Sequence, residues 1–263
     1  MKHWVDLDRA RQAILDGTGS GVRVAVIDSG VETSHPMLRG MELVDDLAIK
    51  IDGHRLRVVP GAGHDVFGHG TAVAGILRML APEAEIGSIR VLGNDNTSRT
   101  AIIQRAAEEA LDRGYHVLNC SFGCGVPGQV LQYKAWVDQA YLKGIHVVAA
   151  CNNEDFSKQE WPAYFPSVIA VNMARTTDES VFYYRSGTMI EFAARGVNVK
   201  VPWIGSAEKV VTGSSFAAPR LAALVARLLS VYPDLGPLQT KAVLHRLAVP
   251  MTARVAGPNV ICV

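Results

Sequence analysis

A serine hydroxyl becomes a nucleophile only when a neighbouring base removes its proton, and that base needs a carboxylate to orient it. The chain offers one of each: Asp28 in "VAVIDSGVETSHP", His69 in "GHGTAVAG" and Ser215 in "TGSSFAAPRLAA". Glycines flank His69 on both sides, which suits a crowded backbone that a substrate must approach. Ser215 follows Gly213 and opens a helix-forming run, where free N–H groups and the helix dipole favour developing negative charge. A further stretch, "VVAACNNEDFSKQEWP" (147–162), carries an apolar run into Asn152, Asn153 and the carboxylates Glu154, Asp155 and Glu160. Plainer readings stand beside each of these. An Asp after a strand is often a turn residue, a Gly-flanked His a loop residue, and Ser214 or Ser215 an N-cap. Acids following a strand usually form a solvated loop. "GHDVFGH" also offers His64, Asp65 and His69 as a metal set, but His69 belongs to the stronger pattern.

The elements that must position these groups alternate along most of the chain. Apolar runs at 22–27, 86–92, 115–120, 145–151 and 167–172 read as strands. Helical spacing marks 69–80, 100–114, 128–144, 214–232 and 237–248, with Pro82, Gly114 and Gly144 as stops. Strands separated by helices of this length pair in parallel through crossovers. The expected architecture is therefore α/β, a doubly wound, mostly parallel sheet with helices on both faces. Segment 39–65 breaks the rhythm and reads as an inserted hairpin or irregular loop. With no repeat, linker or low-complexity tract, residues 1–263 read as one domain. Ligands of open parallel sheets bind at the carboxyl ends of the strands. Asp28, Ser121 and Asn153 fall at or just past such ends, and His69 and Ser215 fall at or near helix N-termini.

The three motifs, with "VLNCSFG" (117–123), "VVAACNNED" and "PSVIAV" (166–171), resemble the subtilisin family of serine proteases over most of residues 20–247. The order Asp, His, Ser is that of subtilisin itself. The resemblance implies that Asp28 orients His69, that His69 serves as general base and then general acid, and that Ser215 attacks a peptide carbonyl. It also implies that the Asn153 amide and the Ser215 backbone N–H hold the oxyanion. Substrate would lie as an added strand between Ser121, Phe122 and Gly123 on one edge and 93–98, including Asn96, on the other. Glu154 matches an acid at the rim of the primary specificity pocket, and Glu160 falls on its floor. A carboxylate there would favour lysine or arginine before the scissile bond.

Departures from the family's pattern are also visible. Asn152 and Cys124 stand where glycine is usual, which should narrow or polarise the pocket. "ILRMLAPEAEIG" passes from helix to strand without the family's calcium-binding loop, so no metal or other cofactor is expected, with calcium elsewhere left open. One short helix precedes the first catalytic strand, which suggests a member that needs no prosegment.

Composition bounds the rest. The chain is 49% apolar and 19% charged, with 26 basic and 25 acidic residues, which advertises neither nucleic acid nor an anionic membrane. No secretory signal is recognisable, and a cytoplasmic location is expected. Cys120, Cys124, Cys151 and Cys262 lack zinc-ligand spacing and read as reduced thiols. The expected partner is a polypeptide substrate, in a narrow role such as maturation of a precursor. Two other functions use the same frame: a catalytically silent peptide-binding scaffold, and a ligase or cyclase that passes the acyl group to an amine.

Overall fold

The computed structural model describes residues 5–251 and the backbone of 261–262. The Cys262 side chain and the first four residues of the N-terminal segment fall outside it. Helix α1 (Leu7–Asp16) is capped by Asp6, whose side chain accepts from the Asp8 and Arg9 N–H groups. Strand β1 (Arg23–Asp28) then enters the middle of the sheet with all but its first residue buried. Val24 and Val26 join one hydrophobic layer, and Ala25 and Ile27 the other. Burial on both faces explains why the strand reads as a continuous apolar run rather than an alternating one.

Besides two-residue strands at Val249–Pro250 and Ile261–Cys262, the main sheet also holds β2 (Asp46–Asp52), β3 (Arg55–Pro60), β4 (Glu85–Arg90), β5 (Val117–Cys120), β6 (His146–Ala150), β7 (Ile169–Arg175), β8 (Phe182–Tyr184) and β9 (Phe192–Arg195). Their order is β8-β9-β7-β6-β5-β1-β4-β2-β3. Pairing is parallel from β9 through β2, and antiparallel only for β8–β9 and β2–β3. Residues 39–65 do form a hairpin, and β2 docks it on the sheet beside β4. The chain leaves β1 for β4 on one side and returns to β5 on the other, so the order reverses at the end of β1. Asp28 sits at that switch point.

Helices α2 (His69–Leu80) and α5 (Ser214–Leu229) cover one face, while α3 (Thr100–Asp112) and α4 (Val130–Leu142) cover the other. Helix α6 (Pro237–Leu247) packs with α1 near the end of α5. Although α5 is apolar and long enough to suggest a membrane span, 78% of that stretch is buried inside the fold; its composition is that of a core helix. Residues 182–211 hold short antiparallel pieces that the alternation did not anticipate. They are β8, β9 and a separate hairpin of β10 (Val199–Trp203) and β11 (Ala207–Val211). The hairpin lies against α2, with the Pro202 ring filling the space beside Gly75.

Candidate active site

Asp28 is fully buried at the end of β1. Its Oδ1 accepts the Ser29 N–H at 2.8 Å and lies 2.8 Å from His69 Nδ1, with Oδ2 at 3.0 Å. A carboxylate only accepts, so the contact assigns the proton to Nδ1 and leaves Nε2 as the basic nitrogen. Burial alone would lower the pKa of His69. The charge of Asp28, its hydrogen bond and the charge of Asp65 outweigh burial and hold it above the ordinary 6.5.

His69 opens α2, and Asp65 supplies that helix with its missing cap. Asp65 Oδ1 accepts from Phe67 N–H, Gly68 N–H and Ser29 Oγ, and Oδ2 from the Thr71 N–H and hydroxyl. Ser29 Oγ accepts in turn from the Gly70 N–H at 2.9 Å. These bonds satisfy donors that a helix start leaves open and consume both oxygens of Asp65. His64, Asp65 and His69 do not come together as a group that could hold a metal, and no such group of acids, histidines or cysteines occurs among the described residues. Motif reading passed over Ser29 and this role of Asp65; the signal was a buried-type acid four residues before the histidine.

The glycines around His69 serve packing rather than substrate approach. A Cβ on Gly68, at φ 109°, would stand 2.6 Å from Trp203 Nε1. One on Gly70 would stand 2.0 Å from the Gly30 carbonyl oxygen. The Phe67 and Trp203 rings meet edge to face at 5.7 Å, so the β10–β11 hairpin fixes the entry to α2.

Ser215 is the second residue of α5, and the ring of its neighbour Phe216 lies 5.2 Å from that of His69. The Ser215 hydroxyl donates to the Ser121 carbonyl at 3.1 Å, not to His69. Ser121 Oγ donates back to the Ser215 carbonyl at 2.9 Å and receives the Asn119 amide at 3.0 Å. The end of β5 and the start of α5 are thus stitched together. Catalytic hydrogen bonds are often loose without substrate.

Asn153 Oδ1 accepts the Ser214 N–H at 2.8 Å and lies 2.9 Å from Ser214 Oγ. Because that N–H can only donate, the oxygen assignment is fixed, and Nδ2 is the amide's free donor. Ser214 N–H is spent on Asn153 and Phe216 N–H on Gly213. Of the first N–H groups of α5, that of Ser215 is left open beside the Asn153 amide. Two donors beside a hydroxyl, with a histidine at hand, are the parts that acyl transfer needs.

Around this centre, Cys124 and Trp161 form an antiparallel bridge through both backbone bonds, at 2.9 and 3.0 Å. It fixes Ser121, Phe122 and Gly123 beside Glu160. A Cβ on Gly123 would stand 2.7 Å from Glu160 Oε2. The Asn152 amide donates to Glu160 Oε1 at 2.7 Å, and Asn152 Oδ1 accepts the Glu154 and Asp155 N–H groups. Asn152 therefore organises its loop and holds Glu160, rather than standing only as a wall. Glu154 is exposed, and its N–H is bonded to Asn152; Asp155 turns back on Ser157. Asn96, at φ 59°, forms the exposed tip of a turn that Gly93 and Thr97 close at 2.9 Å. Cys120 and Cys151 are buried free thiols and Cys124 is half-buried; burial raises the first well above the usual thiol range and Cys151 to about 12.

The sequence profile of the subtilase family matches residues 19–259. Subtilisin BL of Lederbergia lenta is 32% identical over 235 residues, covering 85% of this chain and 82% of that protein. M-protease of Shouchella clausii (strain KSM-K16) is also 32% identical over 85% of this chain, which spans 58% of its length. Among solved structures, a cold adapted subtilisin-like serine proteinase superposes with a TM-score of 0.71 at 26% identity, covering 88% of this chain and 83% of the other.

Proposed function

The chain belongs to the subtilase family and is a subtilisin-like serine protease, and from that premise we propose that Asp28, His69, Ser215 and Asn153 cleave peptides preferentially after lysine or arginine. The observation that carries the chemistry is the Asp28–His69 contact at 2.8 Å, which leaves Nε2 basic. In the proposed reaction, Ser215 Oγ turns from the Ser121 carbonyl to His69 and attacks the scissile carbonyl, its proton passing to Nε2. The carbonyl oxygen becomes an oxyanion that accepts from Asn153 Nδ2 and the Ser215 N–H. Collapse breaks the C–N bond as His69 returns the proton to the leaving amine. A water, deprotonated by His69, then hydrolyses the acyl-enzyme. Asp28 stabilises the imidazolium in both halves without taking its proton.

The substrate preference is supported by Glu160. Its Oε1 is held by Asn152, and its Oε2 faces Gly123 on the edge proposed to pair with substrate. Lys158 Nζ lies 3.9 Å from Oε1, and an incoming basic side chain would take its place as the partner of this half-buried acid. One charge-assisted contact of this kind corresponds to about 10- to 100-fold in selectivity. Such selectivity fits a narrow role, on a precursor or a single partner protein, better than general degradation.

Two measurements test this. A fluorophosphonate probe should label wild-type protein and not Ser215→Ala; a folded wild type that stays unlabelled would point to a silent scaffold. On peptides that differ only before the scissile bond, kcat/KM should favour Arg and Lys over Leu and Phe. Glu160→Gln should reduce that ratio about 10-fold or more. Preference for Leu or Phe, unchanged in Glu160→Gln, would refute the assignment of Glu160.

A further inference from the structure

A cavity of about 600 Å³ borders the 93–98 edge and opens between it and β2. Its apolar wall includes Ile49, Val66 and Ile102, and its charged groups are Lys50, Arg90 and Arg99. No carboxylate lines it. None of the three cations forms an ion pair among the described residues. Arg90 is tethered by one bond from its guanidinium to the His64 carbonyl at 3.1 Å, which holds its other N–H donors near the cavity mouth. This concentration of one sign occurs in a protein whose net charge is only +1. The three residues come from β2, the end of β4 and the N-cap of α3, so no local sequence pattern accounts for their meeting.

We propose that this cavity is a second specificity site, which takes acidic side chains of the substrate on the N-terminal side of the scissile bond. The inference rests on the protease reading above for the path of the peptide. A peptide whose basic side chain reaches Glu160 runs its preceding residues between the Ser121–Gly123 and 93–98 edges. Gly93, Asn94, Thr97 and Ser98 belong both to that edge and to the cavity wall. A glutamate or aspartate projecting past the edge meets three like charges that lack partners of their own. The apolar wall receives the methylene stem, and low-dielectric walls on one side strengthen the attraction. A lysine at the same position meets repulsion. Together with Glu160, the cavity would read a charge pattern, acid upstream and base at the cut, rather than a single residue.

The test uses peptides in matched sets that share every residue, including the one before the scissile bond, and differ only in Glu, Gln or Lys at a single upstream position. At one or more of these positions, kcat/KM should be about 5-fold higher for Glu than for Gln at low salt, and lower still for Lys. The advantage should shrink in 0.5 M NaCl. The triple variant K50Q/R90Q/R99Q should bring the Glu/Gln ratio close to one, with its thermal midpoint as the folding control. If the triple variant does not fold, the exposed Lys50→Gln and Arg99→Gln changes should each reduce the ratio. The same peptides are also titrated against Ser215→Ala, where binding is read without cleavage and Glu should again bind more tightly than Gln. Equal values for Glu and Gln at every upstream position, or a ratio that survives loss of the cations, would overturn the proposal. Because each set shares its residue at the cut, failure of the Glu160 assignment appears as a change between sets and leaves the comparison within sets intact.

Discussion

Asp65 never touches the reacting atoms, yet it should shift the lower edge of the working pH range that Asp28 mainly sets. Its charge is one of the causes that keep His69 above 6.5 against the pull of burial. The base is active when Nε2 is unprotonated, so the acid limb of kcat/KM follows the pKa of His69. Removing the charge of Asp65 lowers that pKa, and the limb in Asp65→Asn should move to lower pH. A limb that stays in place or moves upward would refute the electrostatic role. The variant should also lose on the order of 1–3 kcal/mol of stability, because an amide cannot accept at both positions that the carboxylate oxygens serve. The trio itself was legible in the sequence because its residue types and their order are rare together. The support for the start of the His69 helix was less so, because Ser29 and Trp203 reach Gly70 and Phe67 only across the fold, while the cap from Asp65 is local but does not follow the usual N-cap spacing.

At the scale of elements, β6 and α6 are joined by a group that resists acid poorly. His146 of β6 is buried, with Nε2 2.8 Å from Thr240 Oγ1 of α6. Burial pushes its pKa down from 6.5 to about 4, although the His116 carbonyl pulls the other way. The folded state therefore favours neutral imidazole. This preference is fully present above the unfolded pKa near 6.5 and is lost progressively as pH falls to about 4. The loss amounts to roughly 3 kcal/mol for a shift of this size. His146→Gln should show a smaller drop in thermal midpoint between pH 7 and pH 4.5 than wild type; an equal drop would refute this source of acid sensitivity. Most elements were readable, since central strands buried on both faces leave unbroken apolar runs and α2 covers the 69–80 expected of it. The pieces between 182 and 211 were not. They are strands of three to five residues, too short to establish a period.

At the scale of the whole molecule, the parallel sheet gathers its chemistry at one end from residues far apart along the chain, from Asp28 to Ser215. The gathering was predictable from strand polarity alone, whereas the charge lining the large cavity was not, because periodicity does not reveal which surface residues share a cleft. The same arrangement imposes an order in time. Helix α5, from Ser214 to Leu229, carries the nucleophile and fills one face of the sheet, with Ala217, Ala218, Leu221, Ala222 and Val225 wholly enclosed. A ribosome that has delivered the chain as far as Gly213 has already released Asp28 and His69, but the sheet they belong to still lacks its principal covering. Such a nascent chain exposes apolar sheet surface and lacks the nucleophile, so it has no means of cutting its neighbours. The capacity to cleave therefore arrives only with the helix that carries Ser215 and covers this face of the sheet.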